Sequence, residues 1–254
     1  MEFVKMEGLG NDFVVLTGPR EVSAEQAARW CHRRRGVGAD GVLVVTPLRP
    51  DRIRMEYWNA DGSGAETCGN GLRCVARLAA DRGWVGSSFV VETAAGDRPV
   101  TVGEDGLVRA LMGTPSWPER PAEEVAGVMV HPARIGNPHA VVLVDDPAQA
   151  PLAELGPAIA GDPLFPDGAN VEFLAVRSPQ LLELRVWERG VGETPACGSG
   201  AAVAAAVASR LGQADRHLTV RLPGGELYVE VEEEGVWITG PARYVFEGRW
   251  EADE

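Results

Sequence analysis

The chain is almost without lysine. Among its 254 residues and 24 basic side chains, Lys5 is the single lysine, and the rest are arginines. An enzyme that uses pyridoxal phosphate forms a Schiff base with a lysine, so only Lys5 could serve that cofactor. The sequence therefore disfavours pyridoxal phosphate, and we expect no cofactor.

Residues that bind metals are also sparse. The sequence has four histidines and four cysteines, and the cysteines are Cys31, Cys68, Cys74 and Cys197. No pair has the CxxC spacing, and five residues separate Cys68 from Cys74, which is poor spacing for structural zinc. We therefore expect no metal site.

Positive charge and long apolar runs are lacking as well. The formal net charge is -13, and such a chain repels nucleic acid and anionic membranes. No apolar run approaches the roughly 20 residues of a membrane span, and the N-terminus lacks the basic and apolar regions of a secretory signal. We expect a cytoplasmic protein with reduced cysteines that binds a small molecule, with no nucleic-acid or membrane partner.

An internal repeat organises what is present. Cys68 and Cys197 are 129 positions apart (197 − 68), and the same offset aligns further residues. It places Trp58 on Trp187, Gly69 on Gly198, Gly71 on Gly200, Gly96 on Gly225 and Gly106 on Gly235. The chain is thus predicted to contain two copies of one fold of roughly 110 to 130 residues. The Pro-rich stretch "GTPSWPERPAEE" marks their boundary, giving domains 1–112 and 113–241.

Each copy has short β-branched runs between Gly, Pro and Asp, which predict strands. After Cys68, apolar residues at helical spacing predict a helix that ends near Gly83. After Cys197, a run of Ala and Val predicts a helix buried on every side, ending at Gly212. We expect an α+β fold of two tandemly duplicated domains, each a curved, barrel-like mixed β-sheet wrapped round a central helix.

The two cysteines each precede a predicted helix. Unpaired N–H groups and the dipole at a helix start favour a thiolate and bind carboxylates. If the copies face each other across a cleft, two thiols could remove and return a proton on opposite faces of one carbon. The alternatives are that each cysteine is a small buried apolar residue, or that one of them serves a Cys–His hydrolase, which leaves the other unexplained.

Several motifs carry a resemblance to a known family. They are "MEGLGNDFVV", "RRGVGADGVLVV", "NADGSGAETCGNGLRC", "GNPHAVVLVDD", "GANVEF", "RVWERGVGETPACGSGA", "LPGGELYVEV" and "ITGPARYVFEG". In this order, over nearly the whole chain, they resemble the diaminopimelate epimerase family. The resemblance implies a homodimeric, PLP-independent and metal-free isomerase that interconverts LL- and meso-2,6-diaminoheptanedioate, a step in lysine and peptidoglycan precursor biosynthesis. It also implies that residues 242–254 return to the first domain.

The family's functional residues carry over by motif. Cys68 and Cys197 correspond to its acid–base pair. Its substrate contacts fall on Asn11, Asn59, Gly69, Asn70, Asn137, Asn170, Glu188, Arg189, Gly198 and Ser199. His139 and Glu188 match positions that tune the cysteine pKa values, and Phe246 matches a position linked to dimer contact. For His139 and the asparagines, a structural role in a turn is the alternative, and for Phe246 it is a core aromatic.

The duplication is broken where a ligand with two different ends would require it. Asn59 aligns with Glu188, which can accept from an ammonium, and Ala60 aligns with Arg189, which can grip a carboxylate. The chain departs from the family at Glu7, where histidine is usual, at Gly41, where some members carry a substrate-contacting side chain, and at Pro195. Two other functions stay open: a two-cysteine racemase for another amino acid, and a catalytically inactive amino-acid-binding protein.

Overall fold

The computed structural model describes residues 1–64 and 68–251. It divides into two compact units, Met1–Ala110 with the segment that begins at Gly240, and Leu111–Thr239. The first unit contains β1 (Glu2–Gly8), β2 (Asn11–Thr17), α1 (Ala24–Cys31), β3 (Gly41–Arg49), β4 (Arg52–Asn59), α2 (Gly69–Asp81), β5 (Ser88–Thr93), β6 (Gly96–Val102) and β17 (Arg243–Arg249). Strand β7 (Val108–Gly113) crosses the division between the units.

The second unit repeats this order of elements and adds two strands of three residues each. It contains β8 (Glu123–Val125), β9 (Val128–Ile135), β10 (Asn137–Leu143), α3 (Leu152–Ala160), β11 (Asn170–Ser178), β12 (Leu181–Glu188), β13 (Gly192–Thr194), α4 (Gly198–Arg210), β14 (His217–Leu222), β15 (Gly225–Val231) and all but the last residue of β16 (Val236–Gly240). Short helices α1 and α3 occupy equivalent places, as do the longer helices α2 and α4.

Strand pairing follows one pattern in both units. In the first, β1–β2 is antiparallel, β2–β3 parallel, β3–β4 antiparallel, β4–β5 parallel and β5–β6 antiparallel. In the second, the same sequence of orientations runs through β9–β10, β10–β11, β11–β12, β12–β14 and β14–β15. The duplication predicted from the sequence is therefore confirmed.

Each unit buries its longer helix against its own strands. Helix α2 packs against β1, β2, β3, β4 and β6, and α4 packs against β9, β10, β11, β12, β14 and β15. All residues of α4 from Gly198 to Ala208 are buried. A sheet that contacts one helix through five or six strands must curve round it. The α+β prediction with a central helix in each domain is thus confirmed.

Both long helices end as the sequence indicates. Helix α2 stops at Asp81 and α4 at Arg210, and Gly83 and Gly212 follow two residues later with φ of 68° and 71°. Only glycine adopts this left-handed conformation without strain, which makes it the usual residue just past a helix. The left-handed backbone after each long helix therefore explains why both copies of the fold have a glycine at this position.

Helices α1 and α3 were not predicted. Helix α1 has a capping box, in which the Ser23 side chain accepts from the Gln26 N–H and the Gln26 side chain accepts from the Ser23 N–H. It spans only eight residues, which gives a weak periodic signal. The Pro-rich stretch is paired: Ser116 and Arg134 exchange two backbone hydrogen bonds of 2.9 Å.

The last strand of the chain belongs with the first. Strand β17 runs antiparallel to β1, with Glu2 opposite Arg249 and Glu7 opposite Arg243. Strand β1 thereby lies between β2 and β17. Among the described residues, no helix has the length and apolar character needed to cross a membrane.

Close packing round α4 leads to a stability prediction. Ala204 of α4 is fully buried, so Ala204→Leu inserts a larger side chain where there is no space. We expect the free energy of unfolding to fall by about 1–3 kcal/mol. The matched control is Ala153→Leu on the exposed side of α3, which should change it by less than about 0.5 kcal/mol. Urea unfolding of both variants measures the difference, and equal stabilities would contradict the dense packing.

Candidate active site

Cys68 and Cys197 are the N-cap residues of the two central helices. Their backbones are extended, with φ of −148° and −124°. The Cys68 sulfur accepts from the Gly71 N–H at 3.3 Å, and the Cys197 sulfur accepts from the Gly200 N–H at 3.4 Å. An N-cap side chain normally uses an oxygen for this bond. Both sulfurs are therefore fixed beside the first turn of a helix, where negative charge is stabilised.

Two asparagines accompany Cys68 in the first unit. The Cys68 thiol lies 3.7 Å from Asn11 Oδ1, and the Asn70 side-chain amide donates to the same oxygen at 3.3 Å. Gly69 and Asn70 form the first turn of α2. The structure thus brings four of the predicted site residues of this unit into one cluster.

An ionic network holds Asn11 in place. The Asn11 amide donates to Asp40 at 2.8 Å, and Asp40 also accepts from Arg33 at 2.6 Å. Asp12 binds Arg33 and Lys5, and Lys5 also donates to the Gly38 carbonyl at 2.5 Å. Lys5 is 4% exposed, so the single lysine is engaged in structure.

The same network sets the charge of Asp12. Burial alone would raise the pKa of this carboxyl group, but hydrogen bonds and charge from Arg33 and Lys5 lower the pKa to about 2. Asp12 is therefore ionised at every pH near neutrality. This cluster could not be predicted from the sequence, because it joins β2 to a loop some 20 to 30 residues away.

Arg73 anchors the start of α2 from inside. Its side chain is fully buried and donates to Asn70 Oδ1 at 2.8 Å, to the Gly69 carbonyl at 3.2 Å and to the Pro241 carbonyl at 3.2 Å. A buried guanidinium needs such a set of acceptors. It ties the first turn of α2, and hence Cys68, to the segment that leads into β17.

Cys197 has a different environment in the second unit. Its sulfur is buried, lies 3.4 Å from the Ser199 hydroxyl, and receives a long contact of 4.0 Å from the Asn170 amide. Asn170 Oδ1 accepts from the Arg189 backbone N–H at 2.9 Å. This contact connects the two predicted substrate residues Asn170 and Arg189 to the sulfur.

The surroundings of Cys197 favour its protonated form. Burial raises the pKa of this thiol well above its usual range, and the charges of Glu188 and Glu172 raise it further. Hydrogen bonds from Ser199 and the Gly200 N–H act in the opposite direction and are weaker. The thiol form of Cys197 is therefore favoured over the thiolate.

The remaining two cysteines are also held as thiols. Burial raises the pKa of Cys31 to about 12 and raises that of Cys74 further. Neither one caps a helix: Cys31 lies in α1 and Cys74 in the middle of α2. Their positions fit a packing role.

His139 lies in β10 and takes part in a buried polar chain. Its Nδ1 is 2.6 Å from Glu172 Oε1, and its Nε2 is 3.1 Å from Asn137 Oδ1. His139 and Glu172 are both fully buried. Glu172 was not among the predicted site residues, although a glutamate inside the apolar run "NVEFLAV" is a signal for a functional role.

Three further predicted residues also make contacts with side chains outside these clusters. Asn59 ends β4 and donates from its side chain to Ser63 at 3.0 Å. Glu188 ends β12 and accepts from the Thr194 hydroxyl at 2.5 Å. Phe246 lies in β17, is 47% exposed, and packs edge-on against Phe3. Among the contacts of the described residues, none joins Asn59 or Phe246 to a cysteine.

Two of the three departures from the family pattern have local explanations. Glu7 accepts from the Gly10 N–H at 2.9 Å and so closes the turn between β1 and β2. A Cβ at Gly41 would lie 2.7 Å from the Trp58 carbonyl oxygen, so a side chain there requires the backbone to shift. Nothing in the structure explains the proline at position 195, whose carbonyl accepts from the Gly224 N–H at 2.8 Å.

The fold is that of a class of duplicated α+β structures. A probable proline racemase from Agrobacterium radiobacter K84 matches with a TM-score of 0.74, 19% identity, and coverage of 99% of this chain and 93% of that one. A phenazine biosynthesis protein from Bacillus anthracis matches with a TM-score of 0.71 and 18% identity, over 98% of each chain. At such identities the likeness concerns the fold alone.

Sequence similarity defines the family within this class. The family model described as "Diaminopimelate epimerase" matches residues 3–118 and 133–245. Relatives of that name include one from Moorella thermoacetica, 42% identical over 100% of both chains, and one from Alkalilimnicola ehrlichii, 45% identical over 100% of this chain and 99% of that one. The chain belongs to the diaminopimelate epimerase family.

The network beside Asn11 leads to a pH prediction. Because the pKa of Asp12 is lowered, the ionised carboxylate stabilises the folded state above about pH 4, and this contribution is lost as the pH falls through about 2. Asp12→Asn should therefore lower the free energy of unfolding by about 2 kcal/mol at pH 7, with the difference from the wild type shrinking towards pH 2.

Urea unfolding at pH 7, 4 and 3 checks this expectation. Asp51→Asn serves as the control, because Asp51 is exposed and contacts only Arg49 at 3.7 Å among the ion pairs of the described residues. A constant difference between Asp12→Asn and the wild type at all three pH values would show that ionisation of Asp12 does not stabilise the fold.

Proposed function

We propose that this protein is a cofactor-independent diaminopimelate epimerase that interconverts LL- and meso-2,6-diaminoheptanedioate. The observation that carries the proposal is the repetition of one arrangement: a cysteine at the N-cap of the central helix in each unit. Membership in the family and its full-length relatives of that name support the choice of substrate.

The two cysteines act on the same α-carbon from opposite faces. One sulfur starts as a thiolate and takes the α-proton, and the other starts as a thiol and delivers its proton to the other face. The N–H groups of Gly69, Asn70, Gly198 and Ser199 receive the α-carboxylate, whose negative charge grows as the proton leaves. Each central helix therefore supplies one acid–base group and part of the carboxylate-binding N–H groups.

The distal end of the substrate meets the residues that break the duplication. Glu188 accepts from the ammonium group, and Arg189 holds the carboxylate through charge-assisted hydrogen bonds. The side chains of Asn11, Asn59, Asn137 and Asn170 supply donors and acceptors to the amino and carboxylate groups. His139 and Glu188 tune the acidity of the thiols.

The functional protein is a homodimer in the cytoplasm. Strand β17 exposes three neighbouring large side chains, Tyr244, Val245 and Phe246. A partner subunit that covers them removes apolar surface from water. The reaction needs no cofactor, no metal and no macromolecular partner besides the second subunit.

A turnover assay tests this function. The purified protein should convert LL-diaminopimelate to the meso isomer after dialysis against chelator and without pyridoxal phosphate. Cys68→Ser and Cys197→Ser should each lower kcat/KM by at least about a hundredfold, because each removes one acid–base group. Cys31→Ala, in α1, is the matched control and should retain activity.

Several outcomes would contradict the proposal. Turnover that requires added metal or pyridoxal phosphate would exclude the two-thiol mechanism, as would full activity in either serine variant. Racemisation of proline or hydroxyproline in place of diaminopimelate would indicate another two-cysteine racemase. Binding of diaminopimelate without conversion would indicate a binding protein.

A further inference from the structure

Equivalent places in the two units hold chemically opposite side chains. Gly71 and Gly200 are the third residues of α2 and α4, and their N–H groups bind the two sulfurs. A Cβ added at Gly71 would meet Leu43 at 3.0 Å, whereas one added at Gly200 would meet the Glu172 carboxylate at 2.8 Å. Leu43 and Glu172 are 129 positions apart (172 − 43), which is the repeat offset.

The neighbouring strand shows the same replacement. Phe13 of β2 pairs with Gly41 of β3, and His139 of β10 pairs with Asn170 of β11. Gly41 and Asn170 are again 129 positions apart (170 − 41), so Phe13 and His139 are equivalent. A pair of apolar residues, Phe13 and Leu43, thus corresponds to a hydrogen-bonded polar pair, His139 and Glu172.

Packing does not explain the polar pair. Phe13 and Leu43 are fully buried and fill the same place in the first unit, so apolar side chains fit this fold. Burying an ionisable pair instead carries a desolvation cost that apolar residues avoid. The cost is not fully offset, because Glu172 Oε2 is buried without a hydrogen-bond partner among the described residues. We therefore attribute the His139–Glu172 pair to the acid–base chemistry of Cys197 and not to packing.

The position of Glu172 indicates what it does. Its carboxylate lies against the first turn of α4, next to the glycine whose N–H binds the Cys197 sulfur. His139 Nδ1 lies 2.6 Å from the same carboxylate oxygen and fixes it. A negative charge at this point opposes a second negative charge on the sulfur. The first unit has Leu43 there and carries the buried cation Arg73 in α2 instead.

We propose that Glu172 is a positioning residue that acts with Glu188 to keep Cys197 protonated in the free enzyme, so that Cys197 is the resting proton donor and Cys68 the resting thiolate. This inference rests on the proposed two-thiol function and adds the order of the proton transfers. Cys68 takes the α-proton to become a thiol, Cys197 gives its proton to the opposite face, and each sulfur exchanges its charge with the other.

A second carboxylate acts on Cys197 in the same direction as Glu172. Glu188, at the end of β12, raises the pKa of this thiol more than Glu172 does, and it stays in place when Glu172 is replaced. The remaining charged residues on the strands packed against α4 are exposed or half-buried on the outer face. They are His131 and Arg134 in β9, Arg177 in β11, Glu183 and Arg185 in β12, His217 and Arg221 in β14, and Glu226 and Glu230 in β15.

The rate of alkylation of each cysteine as a function of pH tests the inference without substrate. Iodoacetamide reacts with thiolates, and peptide mass spectrometry separates Cys68 from Cys197. In the wild type, Cys197 should react with a midpoint at higher pH than Cys68. Limited access lowers the maximum rate of a buried thiol but does not move the midpoint.

Two variants remove the charge in different ways. Glu172→Gln keeps the shape of the side chain, and the double variant His139→Phe/Glu172→Leu installs the pair that the first unit already carries. In both, the alkylation rate of Cys197 at pH 7 should rise about tenfold relative to its maximum, and the Cys68 profile should stay unchanged. Glu183→Gln, on the outer face of β12, is the control and should leave both profiles unchanged.

The result that would overturn the inference is an unchanged Cys197 midpoint in either variant when circular dichroism shows a native fold. A Cys68 midpoint above that of Cys197 in the wild type would overturn it equally. These outcomes are independent of the proposed function, which fails only if the wild type does not convert diaminopimelate or does so without both cysteines.

Discussion

The structure depends on one interaction, the hydrogen bond from the third backbone N–H of a helix to the sulfur of the cysteine that caps it. The bond uses an N–H that has no partner inside the helix. This hydrogen bond fixes the sulfur only if the helix is held rigidly and its first turn is shielded from bulk water. Each unit meets this condition by wrapping its own strands round the helix, and the small residues of α4 bring these strands close. Residues that surround the helix starts, including the asparagines, are then aligned by the ends of β2, β10 and β11.

Duplication gave two equal scaffolds, and substitution made their electrostatics unequal. The first unit places a fully buried arginine, Arg73, one turn into its helix, at the position where the second has Ala202 (202 − 73 = 129). The second unit places His139 and Glu172 where the first has Phe13 and Leu43. The buried charge in the helix that Cys68 caps is therefore the cation Arg73, and the buried charge beside the helix that Cys197 caps is the carboxylate of Glu172. Two thiols in identical environments would have the same pKa, so neither would be preferred as base or acid. Different electrostatic environments allow one cysteine to act as the base and the other as the acid.

Much of this organisation could be predicted from the sequence, because the repeat is visible without structure. The Cys–Gly pairs, the turn glycines and the Ala-rich run fixed the positions of both central helices, and the strand prediction followed from β-branched runs. Short helices α1 and α3 escaped prediction because eight or nine residues carry little periodicity. The ionic network of Lys5, Asp12, Arg33 and Asp40 escaped because it joins residues that are distant in sequence, and only the folded chain brings them together.

The role of Glu172 could be recognised only by comparing the two units in three dimensions. In the sequence it stands in a strand as one acidic residue among the 37 of the chain. The structure shows that it is buried and that an apolar residue occupies the equivalent place. Gly41 is a similar case: its departure from the family looked like a lost contact, and the Trp58 carbonyl leaves little space for a side chain there.

The most direct measurement is a single turnover of LL-diaminopimelate in deuterated water, stopped before the product reacts back. A thiol carries one exchangeable proton, so the sulfur that takes the substrate proton cannot return it to the opposite face. The meso product should therefore carry one deuterium at the inverted carbon, while unreacted LL substrate keeps its protium. Product that retains the substrate proton, or deuterium that enters the LL substrate as fast as the product forms, would show that one base serves both faces and would contradict the division of labour between Cys68 and Cys197.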